Sequence, residues 1–386
     1  KSLEIYLDNA ATTKPYEEVI DVMVEGMREY YGNPSSLHEV GIKSEKKVNE
    51  AREVIANTIN ASKDEIYFTS GASEGNNCII KGIPRSGHHV ITTRFEHHSV
   101  LKAFEEIEKN GVRVTYLDVD ENGLISLEEL SNAICKDTVL ISIMFVNNEM
   151  GAIQDIEKIG KLIKEKSSRA KFHVDAVQAY GKFPIDVKKM NIDMLTTTGH
   201  KFHGPKGTGF LYLRKGIIPN SLIHGGSQES GLRAGTQNVP GIMALKKAAE
   251  ISVKHMSENY EKVLNLKRYM LDKLKEFDNV RINSIDDSNH SPYILNVSFI
   301  GVRAEVLLHM LEEDHIYVST GSACTSKTSI ASGSYVIKAL GLNNKDAEGA
   351  IRFSFSEYNS EEEIDRVIDK LRSSLNFLRR IKRWEN

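Results

Sequence analysis

Cysteine is scarce in this sequence, because 386 residues include three, Cys78, Cys135 and Cys324. An odd number of cysteines at such wide spacing is a poor framework for disulfides. Structural disulfides persist in oxidising compartments, so the composition favours the reducing cytoplasm and at most one reactive thiol.

Long apolar runs are also missing. No run approaches the ~20 residues that a membrane-spanning helix requires. The first residues, Lys1 to Glu4, lack the basic, apolar and small-residue order of a signal peptide. Lys1 stands where a Met would start a complete chain, which is typical of a trimmed or incomplete start. The formal net charge of -3 does not indicate a nucleic-acid or an anionic-membrane partner, and we expect neither.

The composition is otherwise that of a soluble globular protein, with 40% hydrophobic and 27% charged residues. Between about residues 64 and 215, short apolar runs alternate with longer amphipathic stretches. This alternation predicts a mostly parallel, buried sheet with helical crossovers. Ligands of such sheets bind outside the carboxyl ends of the strands. The expected strands are Ile66–Thr69, Val90–Thr93, Val112–Leu117, Val139–Val146, Phe172–Val174, Met194–Thr197 and Phe210–Leu213.

The rest of the chain predicts helices around a second, smaller set of strands. The spacing of apolar residues predicts a helix over residues 15–31 that begins at Pro15, and a long helical stretch over about 239–277. A probable capping box from Ser360 to Glu363 begins the last helix. Strands are expected at Tyr293–Ile300, Ile316–Ser319 and Ala350–Phe355.

Two candidate chemical groups follow strands of the large sheet. Lys201 lies just after the Met194–Thr197 run, where its amine could form a Schiff base with an aldehyde cofactor. Asp175 follows the Phe172–Val174 run, where a carboxylate can pair with a protonated pyridine nitrogen, and Gln178 can contact the phenolic oxygen of the same ring. Taken alone, a lysine such as Lys201 is more often a solvated surface charge, and Asp175 could equally be a helix N-cap.

A turn of small residues, Ser70 to Asn76, joins a strand to a probable helix and includes Ala72 and Ser73. Backbone N–H groups at a helix N-terminus bind phosphate well, although such turns are also ordinary caps. Neither this turn nor the Gly204–Gly209 segment matches a P-loop, which requires Gly-Lys followed by Ser or Thr.

His97 follows the Val90–Thr93 run and could stack on a planar ring and relay protons. A lone histidine is more often structural. The pairs His88-His89 and His97-His98 could suggest zinc, but adjacent side chains in a strand point to opposite faces, so we expect no metal site.

Cys324 lies in a Ser-, Thr- and Gly-rich stretch, residues 320–334, where small polar neighbours favour an exposed and reactive thiol. Cys78 and Cys135 fall in probable helices and are interpreted as packing residues. Arg352 is charged inside a probable strand, where it suits bidentate binding of a carboxylate or, alternatively, an ordinary ion pair.

Together and in this order, these features resemble the group I (NifS/IscS-like) cysteine desulfurases of the class V aminotransferase family. The resemblance runs nearly end to end. It includes Tyr6 to Thr13, Tyr31 to Ser36, Val146 to Gly151, His173 to Gln178, Gly199 to Lys201 and Gly321 to Ser326. It implies an α/β chain with the type I fold of pyridoxal 5'-phosphate (PLP) transferases. The large domain would comprise residues 14–250 and contain a mostly parallel seven-stranded sheet. A smaller α+β domain would comprise residues 1–13 and 251–386 and carry the Cys324 loop.

The resemblance also implies roles for individual residues. Lys201 would hold PLP and later remove the α-proton of L-cysteine, and the Cys324 thiolate would take the sulfur as a persulfide, leaving alanine. Asp175 would face the ring nitrogen, His97 would stack on the ring and Gln178 would contact its oxygen. The phosphate contacts would be Ser73, Thr198 and His200, with Thr236 from the second subunit of a homodimer, and Ala72 and Asn148 would also contact the cofactor. Asn148, Arg352 and Asn33 would bind the substrate. A sulfur-acceptor or iron–sulfur scaffold protein, or tRNA thiolation, would use the sulfur.

Two other functions fit parts of the pattern. A selenocysteine lyase or another class V PLP enzyme would need Lys201 and Asp175 but no loop thiol. A non-catalytic sulfur-carrier or assembly scaffold would keep the fold without the cofactor.

Overall fold

The computed structural model describes residues 3–321 and 335–381. Its largest element is a seven-stranded sheet in the order β2-β8-β7-β6-β5-β3-β4. The strands are β2 (Ile66–Thr69), β3 (His89–Thr93), β4 (Arg113–Leu117), β5 (Thr138–Met144), β6 (Lys171–Asp175), β7 (Met194–Thr196) and β8 (Gly209–Leu213).

The sheet is mostly parallel. Strand β8 pairs antiparallel with both β2 and β7, whereas the pairs along β7-β6-β5-β3-β4 are parallel. β2 therefore runs in the same direction as β7, and β8 alone is reversed within this sheet. The prediction of an α/β fold with a mostly parallel seven-stranded sheet is confirmed.

Helices cover both faces of this sheet, which explains why β3, β5, β6, β7 and β8 are almost continuously apolar or buried. The helices of this part are α1 (Glu17–Glu29), α2 (Glu39–Thr58), α3 (Ala72–Gly82), α4 (His98–Glu108), α5 (Leu127–Ala133), α6 (Ile156–Lys166) and α7 (Val239–Lys254). A hydrophobic core that includes Phe172, Phe210 and Leu245 packs against one face of the sheet. Burying each such side chain stabilises the folded state by about 1.5–3 kcal/mol.

A second core surrounds a smaller sheet. Strands β9 (Val280–Ile282), β10 (Ile294–Phe299), β12 (Ser319–Thr320) and β13 (Ala350–Ser354) form it in the order β12-β13-β10-β9, all antiparallel. A two-stranded parallel pair, β1 (Ile5–Tyr6) with β11 (Ile316–Tyr317), ties the N-terminal segment to this region. The remaining helices are α8 (Met256–Leu274), α9 (Ala304–Glu312), α10 (Tyr335–Ala339), α11 (Asn344–Glu348) and α12 (Glu361–Ile381).

Local sequence signals explain several element ends. Ser360 Oγ accepts from the Glu363 backbone N–H, and the Glu363 carboxylate accepts from the Ser360 N–H, so the expected capping box begins α12. Its apolar stripe, including Ile364, Leu371 and Leu375, packs into the second core.

The structure corrects two details. The expected long helical stretch at 239–277 consists of two helices, because α7 ends at Lys254 and His255 separates it from α8. Contrary to the prediction of a helical packing residue, Cys135 is exposed and follows the end of α5 at Ala133. Cys78 lies in α3 and is buried, as expected. Over residues 3–321 and 335–381, no helix has the length and apolarity to cross a membrane.

Candidate active site

A cavity of about 750 Å³ opens at the carboxyl ends of the parallel strands, against the smaller sheet. Such edges are where α/β sheets bind ligands, since loops with chemically active side chains meet there. Ten of the side chains expected at a site line it: Ala72, Ser73, His97, Asn148, Asp175, Gln178, Thr198, His200, Lys201 and Arg352.

Lys201 ends a short 3-10 turn, Gly199–Lys201, that follows β7. Its Nζ donates to the carbonyl oxygens of Ala10 and Ala11 at 2.6 and 2.8 Å. The backbone N–H and the hydroxyl of Thr13 both donate to the His200 carbonyl, each at 2.8 Å, so the N-terminal segment is fixed against the lysine turn. The amine is therefore held at the cavity wall rather than in bulk solvent.

Asp175 is the last residue of β6 and is 3% exposed. Its Oδ1 accepts from the Val177 N–H at 3.0 Å, and its Oδ2 accepts from Asn76 Nδ2 at 3.3 Å. Burial raises the pKa of Asp175, against the opposing effects of these hydrogen bonds and of the Lys201 charge. A cationic partner at the cavity side of this carboxyl would compensate its buried charge.

His97 is the N-cap of α4, where its Nδ1 accepts from the Ser99 N–H at 3.1 Å. Burial and the neighbouring charge of Lys201 lower the pKa of His97 to about 4. The ring is therefore neutral near pH 7, and a neutral imidazole can pack on a flat ligand without adding charge.

Glu96 precedes His97 and is buried within the site wall, 1% exposed. Thr93 Oγ1 donates to Glu96 Oε2 at 2.6 Å, and burial raises the pKa of Glu96 to about 8. The carboxyl is consequently mostly protonated at neutral pH, so it adds little negative charge near Asp175.

The N-terminus of α3 forms a cradle beside Thr198 and His200. Gly71 is its N-cap, supplies no side-chain cap, and has φ +149°, a conformation that glycine adopts readily. A Cβ at Gly71 would lie 3.2 Å from Thr198 Oγ1. The uncapped N–H groups of this helix and the nearby hydroxyl suit a phosphate group. Lys206 and Gly207 line the same end of the cavity.

Arg352 projects from β13 of the smaller sheet and is 8% exposed. Its Nη1 donates to the Asn148 carbonyl at 2.9 Å and its Nη2 donates to Asp8 Oδ1 at 3.1 Å, whereas Nε has no hydrogen-bond partner within the described residues. The side-chain Oδ1 of Asn148 is likewise buried without such a partner. Unpaired buried polar atoms are costly, so these two sites favour a polar ligand.

Gln178 lies on the turn after β6, where its Nε2 donates to the Ala10 carbonyl at 2.9 Å. Its Oε1 is buried and has no hydrogen-bond partner in the part of the chain that the structure describes. The side chain thus bridges the N-terminal segment and the cavity.

Two expected site residues do not line this cavity. Asn33 is exposed, and its Oδ1 accepts from the Ser35 N–H. Thr236 is also exposed and borders a smaller cavity of about 90 Å³ that shares Ser70 and Gly207 with the large one. Cys324 lies outside the described residues. Within 3–321 and 335–381, no group of three or more His, Cys, Asp or Glu side chains could hold a metal ion.

The structure also reveals site residues that the sequence reasoning missed. Asp8 lines the cavity and pairs with Arg352, and Asn76 and Ser99 contact Asp175 and His97. Asp8 lies within a run that carries the family resemblance, and Asn76 lies in the small-residue turn, so the sequence contains a signal for both residues. Nothing in the local sequence indicates the role of Ser99.

The family model for class V aminotransferases matches residues 5–367. The chain belongs to the class V aminotransferase family. Enzymes of this family use PLP.

Known relatives resemble this family member along nearly its whole length. A protein named "Cysteine desulfurase IscS" from Clostridium botulinum is 45% identical over 374 residues, which is 95% of this chain and 93% of the relative. A solved "NifS-like protein" superposes with a TM-score of 0.91 at 39% identity, covering 97% of this chain and 100% of the other. A structure described as "SspA in complex with cysteine" gives 0.80 at 36% identity, with coverage of 92% and 100%.

Proposed function

We propose that this chain is a cysteine desulfurase that converts L-cysteine to L-alanine and transfers the sulfur to its own Cys324. The observation that carries this function is the cavity itself. It gathers an amine at Lys201, a buried carboxyl at Asp175 and a guanidinium at Arg352 in a chain with desulfurase-named relatives.

The residues that line the cavity fit PLP. Gln178 Oε1 and Asn148 Oδ1 are buried without hydrogen-bond partners among the described residues. Both oxygens could therefore accept hydrogen bonds from a ligand in the cavity. The α3 N-terminus has no side-chain cap and faces Thr198, which suits the phosphate group. Asp175 is a buried acid that lines the cavity, and a carboxyl of this kind suits a protonated pyridine nitrogen.

When bound, PLP supplies an electron sink for the charge that develops at the substrate α-carbon. Lys201 would hold its aldehyde, and Asp175 its ring nitrogen. Ala72, Ser73, Thr198 and His200 would bind the phosphate. Because burial and the Lys201 and Lys206 charges lower the pKa of His200 to about 4, its imidazole would bind the phosphate as a neutral partner.

The chain's own side chains then orient the substrate and move its proton. Arg352, whose Nε has no hydrogen-bond partner among the described residues, would donate from its guanidinium to the cysteine carboxylate. Once the substrate amine has displaced it from the aldehyde, Lys201 Nζ would remove the α-proton, since its amine lies at the cavity wall. The neutral ring of His97 lines the cavity and would pack on the flat ring of the cofactor.

The sulfur-accepting group in this proposal is Cys324, three residues after Gly321, which lines the cavity. From Cys324 the sulfur would pass to an acceptor or iron–sulfur scaffold protein, or to tRNA thiolation, in the cytoplasm. Asn33 would join the substrate site. A second copy of the chain would form a homodimer and bring Thr236 to the neighbouring phosphate site; its exposure next to residues of the large cavity is compatible with that role.

The test is an assay of alanine and sulfide from L-cysteine with the PLP-loaded protein, comparing Cys324→Ala with Cys135→Ala. Cys135 is a suitable control because it is exposed and precedes β5, at the opposite edge of the sheet from the cavity. We expect Cys324→Ala to abolish sulfide release while the cofactor stays bound, and Cys135→Ala to retain full activity. Full activity in Cys324→Ala would favour a selenocysteine lyase or another class V enzyme. A chain that binds no PLP would support a non-catalytic scaffold.

A further inference from the structure

Two side chains connect His97 to Asp175. Asn76 Nδ2 lies 3.3 Å from Asp175 Oδ2 and 3.0 Å from Ser99 Oγ. Ser99 Oγ lies 2.8 Å from His97 Nδ1. The connection joins β6, α3 and the start of α4, and Asn76 is fully buried.

The direction of each hydrogen bond in this network can be assigned. The Asn76 NH₂ group faces two acceptors, because its Nδ2 donates both to Asp175 Oδ2 and to Ser99 Oγ. The second hydrogen of the same NH₂ group then points to Ser99 Oγ. The Ser99 hydroxyl accepts from Asn76, which leaves its own hydrogen for His97 Nδ1.

The backbone gives an independent argument for the same assignment. The Ser99 N–H also donates to His97 Nδ1 at 3.1 Å, so this nitrogen must be unprotonated. In a neutral imidazole, the proton then resides on Nε2. Protonating Nδ1 would require the loss of two hydrogen bonds, which disfavours the imidazolium.

We propose that Ser99 and Asn76 are positioning residues that hold His97 as the neutral tautomer with its proton on Nε2, through the hydrogen bonds that link its Nδ1 to Asp175. The inference rests on the proposed function, since it concerns the two side chains that would contact PLP. Its consequence is that His97 presents an N–H donor, and no proton acceptor, at the edge of the ring away from Ser99.

Other charges also influence His97. The ring is near Lys201 and His98, both of which disfavour its protonated form, and it follows the buried carboxyl of Glu96. The same charges remain when Ser99 is changed, so a substitution at Ser99 isolates the contribution of its hydroxyl.

The test is ¹⁵N NMR of histidine side chains in the full-length protein without PLP, with His97 assigned by its loss in His97→Gln. In the parent protein we expect Nδ1 to be unprotonated and the ring neutral well below pH 6. Ser99→Ala should raise the His97 pKa toward 6.5 and change its protonation equilibrium roughly tenfold, the effect of one buried hydrogen bond. Ser99→Thr, which keeps the hydroxyl, should restore the parent behaviour.

Asn77→Ala is the matched control for Asn76→Ala, because Asn77 lies on the same helix and its Nδ2 donates only to the Ser73 carbonyl among the described residues. Asn76→Ala should shift the His97 titration as Ser99→Ala does, and Asn77→Ala should not. A proton on His97 Nδ1 in the parent, or an unchanged titration in Ser99→Ala, would overturn the inference. Because these spectra need neither cofactor nor turnover, they separate its failure from a failure of the desulfurase assignment.

Discussion

Arg352 and Asp8 form an ion pair at the cavity, with 3.1 Å between Nη2 and Oδ1, although they are 344 residues apart. Asp8 lies beyond β1, and Arg352 lies in β13 of the smaller sheet. The pair fixes the guanidinium plane, so that its Nε edge stays available for a carboxylate. A buried arginine that is oriented in this way recognises a carboxylate by geometry as well as by charge.

The first prediction concerns Arg352→Lys, which keeps the charge but removes the planar pair of N–H groups. Loss of a charge-assisted contact of about 1.5–3 kcal/mol should raise the KM for L-cysteine by about 10- to 100-fold, with a smaller effect on kcat. Arg281→Lys, an exposed arginine of the same sheet in β9, is the control and should change neither constant. An unchanged KM in Arg352→Lys would show that the carboxylate binds elsewhere.

The second prediction concerns Asp175→Asn. Asparagine has the same shape and can still accept from the Val177 N–H, so the apo protein should fold normally. A neutral amide cannot stabilise a cationic ring nitrogen, and kcat for alanine formation should fall by about 10²–10³. The measurement is single-turnover alanine formation, with the melting temperature of the apo protein as the folding control. Retention of parental kcat would remove Asp175 from the proposed mechanism.

The sequence is sufficient to predict those site residues that directly follow a strand. Lys201, Asp175 and His97 each follow a strand of a parallel sheet, so their convergence on one edge could be predicted. The Asn76–Ser99 connection could not, because it depends on how α3 packs against α4. The Asp8–Arg352 pair depends on a contact between the chain's two ends. The break at His255 was missed because α7 and α8 are both helical and no Pro or Gly separates them.

The third prediction concerns the pH dependence of stability. His173 is fully buried in β6, where Ser142 Oγ and Thr196 Oγ1 lie 2.7 and 2.8 Å from its ring nitrogens. Burial lowers its pKa from 6.5 to about 3. Between these two pH values the unfolded chain binds a proton at this histidine that the folded chain does not, so stability falls as the pH decreases from 6.5 toward 3, by up to about 1.4 kcal/mol per pH unit.

The corresponding experiment measures the melting temperature of the apo protein from pH 7.5 to 4.5 for the parent and for His173→Asn. The variant should be less stable at pH 7.5 but should lose less of its stability on acidification, because it has no group to protonate at this position. Parallel melting curves for the two proteins over this range would contradict a neutral, buried His173.

The fourth prediction compares Gly71→Ala with Gly87→Ala. Both glycines have a positive φ, +149° and +86°, so alanine should cost about 1–2 kcal/mol of stability at either position. A Cβ at Gly87 would meet nothing within 4 Å, whereas at Gly71 it would face Thr198 Oγ1 at 3.2 Å inside the phosphate cradle. Only Gly71→Ala should therefore weaken PLP binding, which fluorescence titration of the apo protein would measure. Equal PLP affinities in the two variants would place the phosphate elsewhere.

The central claim is that Lys201 is the residue that holds the cofactor. Reduction of the PLP-loaded protein with borohydride, followed by peptide mass spectrometry, locates the attachment directly. We predict a phosphopyridoxyl group on the peptide containing Lys201 and none in Lys201→Ala. A protein that produces alanine from cysteine while the group is found on another lysine, or on none, would contradict the account.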